Sequence, residues 1–371
     1  SRPDPGEGSV STLAPGNVSV QPEEPEEGET PAASGPNVMD IDFDALIANE
    51  TDSTLKDMHE YFRDRTPTEK NQYTGMFQGK NLLLFTGEAF WIGAVNEQYT
   101  PTLYKLAHSG FVFENFYNPL WYYSTVDGEY AATTGLIPTN QVNASQRYAG
   151  KNGVSMYFSM GNQLRALGYP TLAYHNNTAN YYDRNLSHPN LGYDFYACDT
   201  GLDVAMTWPQ SDLEMMQLTL PQALAGEKPF HNYYMTVSGH MNYSFAGNAM
   251  SAKHRDEVAD LDMSEAARAY LACNMELDQA LEYTIKTLEE AGELENTVIV
   301  LSGDHYPYGL DGTGAIDELA GEGTEADPFE KYRSTLILWS GDMEEPVVVD
   351  KPCYSVDIIP TLSNLFGLEY D

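Results

Sequence analysis

The sequence predicts an α/β fold with a mostly parallel central sheet flanked by helices. Three observations predict it. Short apolar runs recur at 81–86, 171–174, 232–237, 297–301 and 335–339, as strands covered on both faces require. Helical patterns separate them. Acidic, hydroxyl or imidazole side chains follow several runs directly, and ligands bind at the carboxyl ends of strands in such sheets.

In chain order, residues 1–36 are rich in Pro, Glu, Gly and Ser, with Glu23, Glu24, Glu26, Glu27 and Glu29 close together. Almost no large apolar side chain is present, so burial cannot offset the entropy of ordering. Residues 1–37 are expected to be a disordered acidic tether. Residues 40–65 read as a polar helix or two, broken by Pro67, within a helical linker over 38–75. The main domain then occupies 76–371. After the tether the chain keeps roughly 330 residues, enough for one large α/β domain.

The run 81–86 is the first buried strand, ending at Gly87-Glu88. Residues 100–109 form a helix with Pro101 near its start. Residues 111–116 read as another strand. A helical run begins near Ser124-Thr125. A helix from about Gly161 ends at Gly168, before the strand 171–174. The strand 232–237 leads into Ser238-Gly239-His240. Residues 262–291 are the clearest helix, with Asp262 and Glu265 as a capping pair and Gly292 closing it. Its stripe of Leu271, Met275, Leu277, Leu281 and Ile285 belongs to the core. Residues 356–366 make a closing helix ended by Gly367.

The formal net charge is −36. Nothing so acidic neutralises a phosphate backbone, so nucleic acid is excluded as a partner. Simple adhesion to anionic lipid is disfavoured. An acidic protein that handles anionic substrates is helped by bound cations. Cys198, Cys273 and Cys353 lack metal-type spacing and are expected to be small buried residues. No apolar run reaches transmembrane length and no signal peptide is seen. The 26 tyrosines and scarce lysines suggest export. Any membrane anchor is expected upstream.

Asp304 and His305 stand where the 297–301 strand ends, offering an oxygen and a nitrogen ligand to a divalent metal. Glu88 stands at the mouth of the first strand; as a bland alternative it caps or opens a helix. Thr125 is either a helix cap or a nucleophile. His240 follows another strand. His175, Asn177, Tyr182 and Arg184 cluster after 171–174, and a guanidinium suits bidentate phosphate binding; otherwise Arg184 makes a surface ion pair. Glu88, Thr125, Asp304 and His305 together form a plausible four-ligand set for one Mn²⁺, Mg²⁺ or Zn²⁺.

This constellation resembles the extracellular catalytic domain of lipoteichoic acid synthases, in the sulfatase and alkaline phosphatase superfamily. The matching segments are 81–88, 113–117, 124–129, 181–185, 236–240, 303–306 and 356–362, in order over roughly 80–370. The resemblance implies a sulfatase-like fold with a smaller C-terminal α+β portion. It implies Thr125 as nucleophile and one metal, usually Mn²⁺, on Glu88, Thr125, Asp304 and His305. It implies substrate contacts at His175, Arg184 and His240; Asn177 and Tyr182, in the same cluster, are expected to join them, and Arg184 and His240 are expected to act in catalysis. The expected reaction takes glycerophosphate from phosphatidylglycerol through a phospho-threonine and passes it to a glycerophosphate or glycolipid acceptor, on the extracellular face of the bacterial membrane. Asn177 stands where the family commonly has Asp, Tyr182 where it has Trp, and Met241-Asn242-Tyr243 where it has an aromatic-Pro-Phe run.

The Cys-x-Pro-x-Arg setting of a true sulfatase is absent, as is a second Asp-x-x-x-His ligand set for a two-zinc enzyme. A phosphoethanolamine transferase, or another phosphodiesterase of the superfamily, is the nearest enzymatic rival. A non-catalytic glycerophosphate-binding envelope protein is the rival of a different class.

Overall fold

The computed structural model of the chain describes residues 34–139 and 145–369. The expected tether therefore lies mostly outside the described residues. The linker holds two short helices, Phe43–Asn49 and Ser53–Arg63, each opened by an aspartate whose carboxylate accepts backbone N–H groups. Neither buries a residue.

The strands, in chain order, are β1 (Asn81–Gly87), β2 (Phe111–Phe113), β3 (Phe116–Tyr117), β4 (Thr171–His175), β5 (Asp194–Ala197) and β6 (His231–Met235). They continue with β7 (Thr297–Gly303), β8 (Arg333–Ser334), β9 (Ile337–Ser340), β10 (Val347–Val349) and β11 (Cys353–Tyr354). The central sheet runs β5-β4-β6-β1-β7-β9. All its pairings are parallel except that of the edge strand β9 on β7.

β1 lies between β6 and β7, and all of its residues are buried. Alternation sends its side chains to two cores. Leu83 and Phe85 join Ile299, Leu301 and Tyr234 beneath the helices Pro101–Ser109, Asp212–Ala225 and Glu265–Glu290. Leu82 and Leu84 join Val298, Val300 and Tyr233 beneath Met160–Ala166 and Ile358–Leu365. The result is a sheet covered on both faces, which explains the unbroken apolar runs.

Three expectations are corrected. Residues 111–116 do not form one strand of the main sheet: Glu114 and Asn115 turn the chain, β2 pairs with β10, and β3 pairs with β11 and β8. The long helix starts at Glu265, capped not by Asp262 but by Ser264, whose Oγ accepts the Ala267 N–H at 3.3 Å. Of the cysteines, all free, Cys273 is buried but Cys198 and Cys353 are only half-buried.

Candidate active site

Four parallel strands deliver their carboxyl ends to one edge of the sheet. β1 presents Glu88, β4 presents His175, β6 leads to His240, and β7 presents Asp304 and His305. Helix Ser124–Thr134 brings Thr125 to the same place. Glu88, Thr125, His175, Asn177, Tyr182, Arg184 and His240 line a common cleft. Every residue predicted for the site thus falls in the cleft or directly against it.

Close backbone contacts fix this geometry. A Cβ on Gly128 would stand 2.0 Å from the Asp304 carbonyl oxygen, so the helix carrying Thr125 rests on the strand end that carries Asp304. A Cβ on Gly303 would meet the Phe90 carbonyl oxygen at 2.0 Å. Ala89 (φ +52°) and Ser124 (φ +31°) hold left-handed backbone right beside Glu88 and Thr125. Such residues cost about 1–3 kcal/mol each and persist where packing over-determines them.

Gly128→Ala is therefore expected to destabilise the chain by about 1–3 kcal/mol through overpacking, although alanine normally favours a helix. It should also weaken metal binding by moving Asp304. Denaturant unfolding and a metal titration check both; a stabilised variant would contradict the contact.

Thr125 does not cap its helix. The helix begins after Tyr123, whose N–H donates to Asp127 Oδ2 at 3.0 Å, and no side chain caps it from the front. Thr125 Oγ1 instead lies 3.4 Å from Glu88 Oε2 and 3.3 Å from His305 Nε2. His305 Nε2 lies 3.5 Å from Glu88 Oε1 and 3.4 Å from Asp304 Oδ2. Glu88 opens no helix; its N–H donates to Thr236 Oγ1 at 3.0 Å.

The donor set fits a divalent cation. His305 Nδ1 is 2.8 Å from the Tyr306 carbonyl oxygen, which only accepts, so Nε2 presents its lone pair. Asp304 Oδ1 accepts from the Ala89 and His305 N–H groups at 2.8 Å each. Its Oδ2 is buried without a hydrogen-bond partner, the state of an oxygen reserved for a ligand. Burial and the Asp304 charge push the Glu88 carboxyl up to about 7, and burial pushes Asp304 up to about 7. Donors 3.3–3.5 Å apart match the spacing that ligand bonds of about 2.1 Å produce.

Another part of the lining is built around Arg184. It makes no surface ion pair: its side chain is 1% exposed, and Nε donates to Glu129 Oε2 at 3.0 Å. Nη1 donates to His175 Nε2 at 3.1 Å. Nη2 is buried and has no hydrogen-bond partner among the described residues. His175 Nδ1 is 3.0 Å from the Met235 carbonyl, so both its ring nitrogens are engaged within the protein. Burial and the Arg184 charge push His175 down to about 3, which keeps it neutral. The Tyr182 ring lies 5.4 Å from the guanidinium. His240 packs edge-on to Trp208, with Nδ1 2.6 Å from the Met241 carbonyl and Nε2 left for a ligand.

Sequence reasoning missed Glu129, His188 and Trp208. Glu129 had one signal: an acid four residues after Thr125, hence on the same helical face. Trp208, in a loop after β5, had none.

The family model described as Sulfatase matches residues 80–368. Lipoteichoic acid synthase 2 of Bacillus subtilis (strain 168) is 23% identical over 349 residues, 90% of this chain and 52% of that protein. The chain thus spans about half the length of the curated relatives it matches. Among solved structures, the lipoteichoic acid synthase LtaP from Listeria monocytogenes superposes with a TM-score of 0.66 at 23% identity, covering 80% of this chain and 74% of that one. The zinc complex of the periplasmic domain of EcEptC from Escherichia coli gives 0.54 at 17% identity, covering 79% and 84%.

Proposed function

Because the chain belongs to the sulfatase family, we propose that it is a metal-dependent phosphoglycerol transferase of the kind that builds lipoteichoic acid. The observation that carries this reading is the placement of Thr125 Oγ1 among Glu88 and His305, in a cleft it shares with an arginine that has one buried N–H edge to spare. Glu88, Thr125, Asp304 and His305 would hold the ion, taken to be Mn²⁺, with Mg²⁺ or Zn²⁺ able to replace it. When bound, the ion supplies positive charge that favours the threonine alkoxide and offsets charge on the phosphoryl oxygens.

Thr125 gives up its Oγ1 proton to solvent, to recover it when it is freed, and attacks the phosphorus of phosphatidylglycerol in line. The new P–O bond to threonine forms as the P–O bond to diacylglycerol breaks. Arg184 Nη2 binds a non-bridging oxygen. His240 works through Nε2, because its Nδ1 proton is committed to Met241. As imidazolium it protonates the leaving diacylglycerol oxygen. It then takes the proton of the acceptor hydroxyl, which attacks the same phosphorus and frees Thr125. The acceptor is a glycerophosphate chain or a glycolipid.

Among the described residues, the cleft lining contains no carboxylate apart from the ligand Glu88. An ethanolamine head group would therefore find no anionic partner, whereas Asn177, Tyr182 and His240 offer hydrogen bonds to a polyol. This favours glycerol over the phosphoethanolamine reading. No helix among the described residues is long and apolar enough to cross a membrane. Action at the extracellular face of a bacterial membrane would rest on a segment upstream.

The direct test is mass spectrometry of the chain after incubation with phosphatidylglycerol and Mn²⁺. A glycerophosphate adduct on Thr125, absent with chelator, is expected. Metal-loaded chain that yields neither adduct nor diacylglycerol would redirect the reading to phosphoethanolamine, then to a binding protein.

His305→Ala should lower metal affinity about a hundredfold or more. Elemental analysis after dialysis reads this directly, and an unchanged metal content would remove His305 from the ligand set.

The site also sets a pH dependence. Glu88 and Asp304 sit near 7 in the folded, metal-free chain, against about 4 when unfolded. Between those values the folded state binds more protons, so metal-free stability falls as pH rises through the window. Metal binding must displace the same protons and tightens with pH. Melting temperatures with chelator and with Mn²⁺ should diverge from about pH 5 to pH 8; a constant gap would contradict the paired-carboxylate site.

A further inference from the structure

We propose that Glu129 is a positioning residue that ties the anion clamp Arg184 to the helix of the nucleophile, an inference that rests on the transfer reading above. Glu129 lies four residues after Thr125 on helix Ser124–Thr134. That spacing is about one turn, or a rise of ~6 Å, on one face. The carboxylate is fully buried, where a lone charge is not tolerated.

Its partners come from three other elements, with Arg184 and His188 on one helix, Arg184–Asn190. Arg184 Nε donates to Oε2 at 3.0 Å, and Gln146 Nε2 donates to the same oxygen at 3.0 Å. Tyr233 Oη donates to Oε1 at 3.0 Å, and His188 Nε2 stands 3.3 Å from Oε1. Burial alone would raise this carboxyl. The charge of Arg184 and the contact with His188 outweigh it and hold Glu129 ionised, well below the usual carboxylate range.

The guanidinium is thereby fixed along two edges. Nε is held by Glu129 and Nη1 by His175, itself anchored on β6 through the Met235 carbonyl. Among the described residues nothing pairs with Nη2, so that edge remains for a substrate oxygen. One rigid helical turn then sets the separation of attacking hydroxyl and phosphate clamp. Such placement governs the reaction rate more than ground-state binding, since a misplacement of about 1 Å costs about a hundredfold.

The experiment compares wild type, Glu129→Gln and Glu129→Asp, all loaded with Mn²⁺, with bis(p-nitrophenyl) phosphate as substrate. Glu129→Gln removes the charge that aligns Arg184 but leaves Arg184 itself in the cleft. Its kcat should fall about a hundredfold, while KM and metal affinity stay within a few-fold of wild type. Glu129→Asp keeps the charge and should recover part of the lost kcat. An unchanged kcat in Glu129→Gln overturns the proposal. So does a parallel loss of metal affinity and folding in both variants, the pattern of a merely structural ion pair. A wild-type chain with no turnover overturns the transfer reading instead. The ¹⁵N resonance of Arg184 Nε then decides the positioning role: a signal unmoved by Glu129→Gln, with or without inorganic phosphate, overturns it.

Discussion

Thr125→Ala should reduce turnover of a phosphodiester by about four orders of magnitude while leaving the folded chain intact. The hydroxyl is the group placed both beside the metal donors and on the cleft wall. Its contacts at 3.3–3.4 Å are too long to contribute much stability. It caps nothing, since its helix starts ahead of it. Alanine suits a first helical turn, so the melting temperature should move little. Residual metal binding by Glu88, Asp304 and His305 separates loss of the nucleophile from loss of the site. A variant that still forms a covalent adduct would place the nucleophile elsewhere.

The largest stability effect is expected at Arg184. Arg184→Ala leaves the Glu129 carboxylate buried without its cationic partner, a change that typically costs about 3–5 kcal/mol. The native pair contributes stability fully above the ordinary carboxylate pKa, and that stability is lost as acid protonates Glu129. Without Arg184, burial raises the Glu129 carboxyl, so the single variant should regain part of its loss in mild acid, where the wild-type pair is still ionised. Pairing Arg184→Met with Glu129→Gln removes both charges and should restore most of the stability, but none of the activity. Denaturant unfolding of the full double-mutant cycle measures the coupling. A small single-variant effect would mean that Gln146, Tyr233 and His188 suffice to hold the carboxylate.

The contrast between these two sites shows what the chain made readable. Asp304 and His305 were visible because a β-branched run stops abruptly before them, and Glu88 because the first apolar run ends the same way. A hydroxyl at a helix start has an everyday use as a cap, so only the family resemblance singled out Thr125. The Arg184–Glu129 pair spans 55 residues of sequence, and no local pattern links them. The run 111–116 has strand-forming residues, but pattern cannot name a partner. Glu114 and Asn115 break it, and its halves pair with strands more than 200 residues away. At the long helix, Asp262 and Ser264 are both competent caps two residues apart, and only backbone geometry chose between them.

The in-register parallel pairing of β1 with β7 has a consequence for how the site comes into being. Ala89 and Asp304, joined by a hydrogen bond, are 215 residues apart, so the metal donors start at opposite ends of one long loop. Closing that loop carries an entropy cost before any donor meets another, and non-local strand pairing is slow. A cation in the refolding solution therefore has no assembled donor set to grip until the sheet has closed. It would act late, slowing unfolding rather than hastening folding.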